Sequence, residues 1–327
     1  MERIQQVLSR IGLDGFLLAI VAMVVLAYFI PGPGIVQGPF SVEAIANYGV
    51  TGVFFFYGLK LNREKLKQGL ANWRMHVVVQ TTTFVIFPLL ALLVKPLFIT
   101  ENANYLWLGI FFLAALPSTV SSSVVMVSIA GGNIPAAIFN ASISALIGVV
   151  ATPLWVGLFM NAGAVSDPGS IVLKLTMQVL VPVIGGMLLN KRFGALTDKY
   201  KKQLQQFDQS VILMIIYASF CKSFTLHLFD HMSWPGIILL AAGMLSLFGI
   251  IMLFVKFISG LLSFNREDTI TVMFCGSKKS LVQGTVMAGI LFTGSSITGY
   301  ILLPLMLYHA LQIVAASLLA RRMAIEK

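Results

Sequence analysis

The sequence predicts an all-α membrane protein of ten transmembrane helices, arranged as two inverted five-helix repeats. Three observations carry this reading. Of 327 residues, 58% are hydrophobic and only 10% are charged, against roughly 25% charged in a soluble domain. The mean hydropathy of +0.91 exceeds what a soluble core of this length can hide, because too much of the chain would stay at the surface. Basic residues also crowd alternate loops, as they do when successive loops lie on opposite sides of a membrane.

At about 20 residues per span, ten helices and short loops consume nearly the whole chain and exclude a separate soluble catalytic domain. Hydropathy places the spans at 12–31, 42–59, 75–98, 104–130, 133–160, 170–190, 207–226, 235–260, 268–291 and 297–320. The leading MERIQQVLSR runs into the first apolar stretch, which ends at Pro31 with no small-residue cleavage site. It therefore reads as a span and not as a removable signal.

With that end inside, the inner segments hold Arg3, Arg10, Lys60, Arg63, Lys65, Lys67, Arg74, Lys191, Arg192, Lys199, Lys201, Lys202, Lys256, Arg266, Arg321, Arg322 and Lys327, seventeen of the 22 basic residues. Lys95, Lys174 and Lys222 fall at outer ends, and Lys278 and Lys279 fall inside a span. The bias predicts a multi-pass protein of the plasma (inner) membrane with both termini cytoplasmic. It also explains the net charge of +10 without nucleic acid as a partner. Cys221 and Cys275 both sit in apolar spans and make no disulfide framework.

An odd number of spans per half obliges the second half, 164–327, to enter the membrane opposite to the first, 1–163. Inverted repeats of this kind are typical of secondary transporters. Weak residue matches support the division: Tyr57 with Tyr217, Pro117 with Gly276, and Gly132 with Gly294, each pair separated by close to half the chain.

Two spans carry interruptions at matching depth. In the fourth, Pro117 removes a backbone donor and is followed by Ser118, Thr119, Ser121, Ser122 and Ser123. In the ninth, Gly276 and Ser277 precede Lys278, Lys279 and Ser280. Broken backbone at the midplane survives only when buried in protein or lining a wet cavity, and paired breaks point to a binding site. A serine-rich turn alone also suits close helix packing. Two adjacent lysines do not, because each costs about 2.5–3.5 kcal/mol at a helix centre. All twelve carboxylates lie in loops or near span ends, so the predicted site is positive and suits a small anionic substrate, with the freed N–H groups of the half-helices assisting. Gln283, four residues after Lys279 and so expected on the same helical face, joins the candidates with Gln80, Asn140 and His309, beside Thr83, Ser144, His76 and Gln312, each of which an interhelical hydrogen bond also explains.

The segments PSTVSSSVVMVSIAGGNIPAAIF, YGLKLNREKLKQGL, HVVVQTTTFVIFP, CGSKKSLVQG and LYHALQ together resemble the bile acid:sodium symporter family, closest to its divergent SBF-like branch, across essentially the whole chain. The resemblance implies a core domain in which the fourth and ninth helices are broken and cross, beside a panel domain. It places the family's first-sodium Ser-Asn pair on Ser122 and Ser123, its ninth-helix Glu on Phe274, and the Gln and Asn that follow on Lys278 and Lys279. The third-helix Gln of the second sodium site falls near Thr83, or on Gln80. Lysines thus stand where the family places cation ligands, and any sodium site is reduced to Ser122 and Ser123.

The expected function is secondary-active transport of a small organic anion by alternating access, in contact with the lipid bilayer and with no enzymatic activity. No cofactor is expected. The coupling ion is left open among sodium, a proton released by a buried lysine, and none, and the oligomeric state is also open. A membrane regulator of ion homeostasis with no cargo of its own is the alternative. An intramembrane enzyme with a lysine nucleophile is a weaker third, since no acid, base or metal cluster accompanies the lysines.

Overall fold

Long apolar runs become helices in a membrane because a helix satisfies its own backbone donors and acceptors where no water can. A computed structural model describes residues 15–60, 72–119, 121–160, 176–227, 233–293 and 295–325. Within these, α1 is Gly15–Phe29, α2 Val42–Lys60, α3 Trp73–Leu97, α4 Glu101–Ala115, α5 Ser121–Ala130 and α6 Ile134–Met160. The second half contributes α7 Thr176–Lys199, α8 Lys201–Thr225, α9 Trp234–Leu261, α10 Arg266–Ser277, α11 Leu281–Leu291 and α12 Thr298–Ile325. Among the described residues there is no strand. Among the described residues five helices (α3, α6, α7, α9 and α12) are long and apolar enough to cross a membrane, and α1 and α4 include shorter apolar helices. The expected starts of the first and sixth spans, at 12 and 170, lie outside the described residues, as does Gly294.

The helices pack in two groups. In the first, α2 lies against α7 and α8, and α1 against α8. In the second, α12 packs on α4, α5 and α9, while α10 packs on α3, α5, α6 and α9. The groups meet where α8 touches α11 and α12 and α11 touches α2. Tyr57 of α2 also donates to the Ser142 carbonyl of α6 at 3.2 Å, and Ser223 of α8 to the Ser296 carbonyl at 3.1 Å. Apolar side chains face outward freely, Leu239 at 75% and Leu253 at 70% exposed among them, as befits lipid-facing surface.

Small residues let α2 and α7 touch backbone to backbone. A Cβ on Gly58 would strike the Val183 carbonyl oxygen, and one on Gly186 would strike that of Phe55. In lipid this proximity replaces the hydrophobic drive, since close backbone contact adds dispersion and weak hydrogen bonds that bulkier residues forbid. Elsewhere a buried carboxylate ties three elements together. Asp268 of α10 accepts from Asn72, just before α3, at 2.7 Å and from Asn133, in the turn before α6, at 2.9 Å.

The ninth-span interruption sits slightly later than the sequence suggests. Gly276 and Ser277 remain helical, and the extended stretch is Lys278–Ser280. The fourth-span interruption falls at the predicted proline, with Leu116 already extended at ψ 154. At Gly276 a Cβ would meet Val255 and Thr82 only at ordinary van der Waals distance, so nothing there forces a break; the break follows where main-chain partners come from other helices.

The α2–α7 contact is testable. Gly186→Val is expected to lower the melting temperature of the detergent-purified protein by an amount corresponding to about 1–3 kcal/mol or more, the usual scale of overpacking. Gly185→Ala, at a position with open space, serves as the control and should melt near wild type.

Candidate functional site at the paired helix interruptions

Two prolines leave main-chain carbonyls without helical donors, and the site grows from what replaces those donors. In α3 the chain forms a π turn over Thr82–Ile86, in which the Phe87 N–H reaches back to the Thr82 carbonyl. Pro88 has no N–H to give. The carbonyls of Thr83 and Phe84 are therefore free of helical donors. The Trp155 indole N–H takes Phe84 at 2.8 Å, and the Lys279 ammonium takes Thr83 at 2.8 Å.

The α4 terminus poses the same problem. Its last carbonyls have no following turn to donate to them, because the chain is extended from Leu116 onward. Thr152 Oγ1 donates to Ala115 at 2.7 Å, and Lys279 Nζ donates to Ala114 at 2.6 Å and to Leu116 at 2.8 Å. An ammonium has three donors, and all three of Lys279 are thus engaged. Its positive charge caps the negative end of α4 and lies over the Phe87 ring, 4.0 Å from the centroid.

The two interruptions are bonded to each other. Ser280 N–H donates to the Pro117 carbonyl at 2.9 Å, and Ser118 Oγ donates to the Cys275 carbonyl at 2.6 Å. Pro117 fits because Gly148 of α6 has no Cβ to meet its ring, and Ser144 Oγ accepts the Ser118 N–H at 2.9 Å. The carbonyls at the end of α10 are met in turn by hydroxyls: Ser123 donates to Phe274 at 3.3 Å and Tyr308 to Ser277 at 2.6 Å. Gln312 of α12 brackets Lys279, accepting its N–H at 2.9 Å and donating to its carbonyl at 2.8 Å, and lies 3.2 Å from His309 Nδ1.

Lys278 differs from its neighbour. It is extended and fully buried, and its ammonium has no hydrogen-bond partner among the described residues. A buried, unpaired charge is strongly unfavourable. The predicted pair of lysines therefore divides into one consumed by the backbone and one left open.

The remaining candidates fall into smaller sets. Thr119 Oγ1 lies 2.8 Å from both Ser122 Oγ and Ser123 Oγ, a cluster of neutral hydroxyls with no carboxylate hydrogen-bonded to it among the described residues. Ser121 opens α5, and its side chain lies outside the described set. Gln80 donates to Asn140 through its carbonyl at 3.2 Å and its side-chain oxygen at 3.3 Å, leaving Gln80 Oε1 and Asn140 Nδ2 unpartnered. Thr83 contributes its main-chain carbonyl and turns its hydroxyl back onto Val79. Ser280 caps α11 by accepting the Gln283 N–H at 3.3 Å. Gln283 does not share a helical face with Lys279, because 278–280 is extended; its amide is buried without a partner.

Pro88, Phe87, Thr152 and Tyr308 belong to the site although the residue-type reading passed over them. Pro88 carried a signal, a mid-span proline like Pro117. The others act through positions set by distant helices. Substituting Gln312 by Leu strips partners from both main-chain groups of Lys279, at about 1–3 kcal/mol for each buried group. Its melting temperature should fall further than that of Tyr308→Phe, which orphans one carbonyl.

The sequence profile of the SBF-like CPA transporter family matches residues 14–325. An uncharacterized protein of Pseudomonas aeruginosa is 39% identical over 312 residues, covering 95% of this chain and 93% of that protein. An Escherichia coli protein named as a candidate symporter, YfeH, is 36% identical over 313 residues, covering 95% and 92%. Sodium/bile acid cotransporter 7 of Danio rerio is 33% identical over 319 residues, covering 95% and 94%. The chain therefore belongs to the SBF-like CPA transporter family, within the bile acid:sodium symporter family, a family of membrane transporters and not of enzymes.

Proposed function

We propose that the chain is a secondary-active carrier of a small organic anion, and that Lys278 is the residue that holds the anionic group. The carrying observation is the buried Lys278 side chain, whose Nζ has no hydrogen-bond partner among the described residues, beside the interruptions of two helices. A charge kept at that depth without a protein counter-ion is matched by an anion from outside, which supplies the missing charge and hydrogen bonds. The Thr119, Ser122 and Ser123 hydroxyls and the unpartnered amide of Gln283 offer neutral contacts to the same class of solute.

Counting α4 with α5 and α10 with α11 as interrupted spans gives ten, five in each half, the second inverted relative to the first. On this reading α1, α2, α7 and α8 form the panel and the other helices form the core. Alternating access is then a movement between them along the contacts of α8 with α11 and α12. Both termini lie in the cytoplasm of a cell whose plasma membrane holds the protein.

The vertebrate relatives are named for sodium and bile acid together. The anionic partner transfers readily to a site centred on a lysine. Sodium transfers less readily: the position of the expected acid is Phe274, whose side chain is buried, and the hydroxyls of Ser122 and Ser123 are neutral ligands. Transport without sodium coupling follows from that donor set.

The test is uptake into liposomes and ligand-induced thermal stabilisation, screening organic anions with and without sodium. Lys278→Ala is expected to weaken the best anion by roughly tenfold to a hundredfold, the equivalent of one charge-assisted hydrogen bond, and Lys278→Arg to retain part of the binding. Unchanged affinity and uptake in Lys278→Ala would sink the lysine-centred site. Absence of both stabilisation and uptake across the screen in wild type would favour a regulator that carries nothing.

A further inference from the structure

We propose that the carbonyls of Thr83, Ala114 and Leu116 form a monovalent-cation site, which the chain occupies with its own Lys279 ammonium. The three oxygens surround Nζ at 2.8, 2.6 and 2.8 Å, and the Phe87 ring closes another side with its centroid at 4.0 Å. All of these groups come from α3, α4 and the residue that follows α4, and none depends on Lys279 for its place in the sequence. The cage exists because Pro88 and the Pro117 interruption strip these carbonyls of helical donors. Donors or a cation must fill it, since bare carbonyls in a buried site cost free energy comparable to lost hydrogen bonds, and one cation can face all three oxygens at once.

The chemistry selects a monovalent ion of ammonium or potassium size. Three neutral carbonyls carry no formal charge to balance a divalent ion. Two of the distances, at 2.8 Å, exceed the roughly 2.3–2.6 Å of calcium sites, the third lies at that range's upper end, and all exceed the about 2.0–2.1 Å of magnesium sites. Rings of backbone carbonyls are how proteins replace the hydration shell of potassium, and an aromatic face attracts the same class of cation. Gln312 holds the Lys279 main chain from both sides, so the ammonium arrives at a fixed point. The bound cation is thereby permanent and independent of the ionic medium. This site is separate from the hydroxyl cluster at Ser122 and Ser123, and it stands whatever solute the protein carries.

Trimming the side chain should open the cage to a free ion. Wild type, Lys279→Ala and Lys279→Gln are purified in detergent and melted in lithium, sodium, potassium, ammonium or choline chloride at equal ionic strength. Lys279→Ala is expected to melt several degrees below wild type in choline and to recover saturably in potassium or ammonium, while wild type does not distinguish the salts. Lys279→Gln, which fills the cage with a neutral amide, is expected to blunt the recovery. If Lys279→Ala aggregates in choline, extraction in potassium or ammonium chloride should yield monodisperse protein. Equal aggregation in every salt, a folded variant indifferent to the cation, or an undiminished response in Lys279→Gln overturns the proposal. Loss of the response on adding Ser123→Ala to Lys279→Ala would locate the ion at the hydroxyl cluster and overturn it as well.

Discussion

A main-chain carbonyl at membrane depth cannot turn to water, so each one that loses its helical donor must be met by another part of the protein. Around the interrupted helices this constraint organises almost everything. Pro88 and the Pro117 break expose the carbonyls of Thr83, Phe84, Ala114, Ala115 and Leu116, and side chains from α6 and from the α10–α11 junction answer them. Lys279 satisfies three at once. Its ammonium is the point at which α3, α4 and the second interruption are joined, and Gln312 ties that point to α12. An ionised side chain that would be costly in lipid is here matched by three oriented dipoles and an aromatic face.

With Lys279 engaged in this way, Lys278 has a different position in the energy balance. The two residues are adjacent in an extended stretch, where successive side chains point to opposite sides. One meets a cage of carbonyls; the other is buried with no hydrogen-bond partner among the described residues. The proposal that Lys278 holds the cargo's anionic group rests on this difference between the two lysines. The hydroxyl cluster of Thr119, Ser122 and Ser123 sits at the start of α5, directly after the same interruption, and faces the Phe274 carbonyl.

Most of the fold class was legible in composition, because a chain with 10% charged residues has few ways to exist outside a membrane. The two interruptions were legible for a local reason: proline and a lysine pair contradict a lipid-facing helix wherever they occur. The exact break in the ninth span was less legible, since Gly276 invites a break that its neighbours do not require, and the chain leaves the helix only where Pro117 and Gln312 supply partners to Ser280 and Lys279. The spacing rule that linked Gln283 with Lys279 failed because it presumes helix between them.

By itself the sequence determined the class of protein, the place of the two breaks to within a few residues and the presence of lysines at one of them, since hydropathy, proline and lysine are properties of residues and their spacing. It could not decide which lysine is structural. That depends on where carbonyls 83, 114 and 116 lie in space, nearly two hundred residues away along the chain for the first of them, and only the packing of α3 and α4 against the second interruption brings them within 2.8 Å of Lys279. The same packing leaves Lys278 without a hydrogen-bond partner among the described residues, since the released carbonyls of Thr83, Phe84, Ala114, Ala115 and Leu116 have donors already.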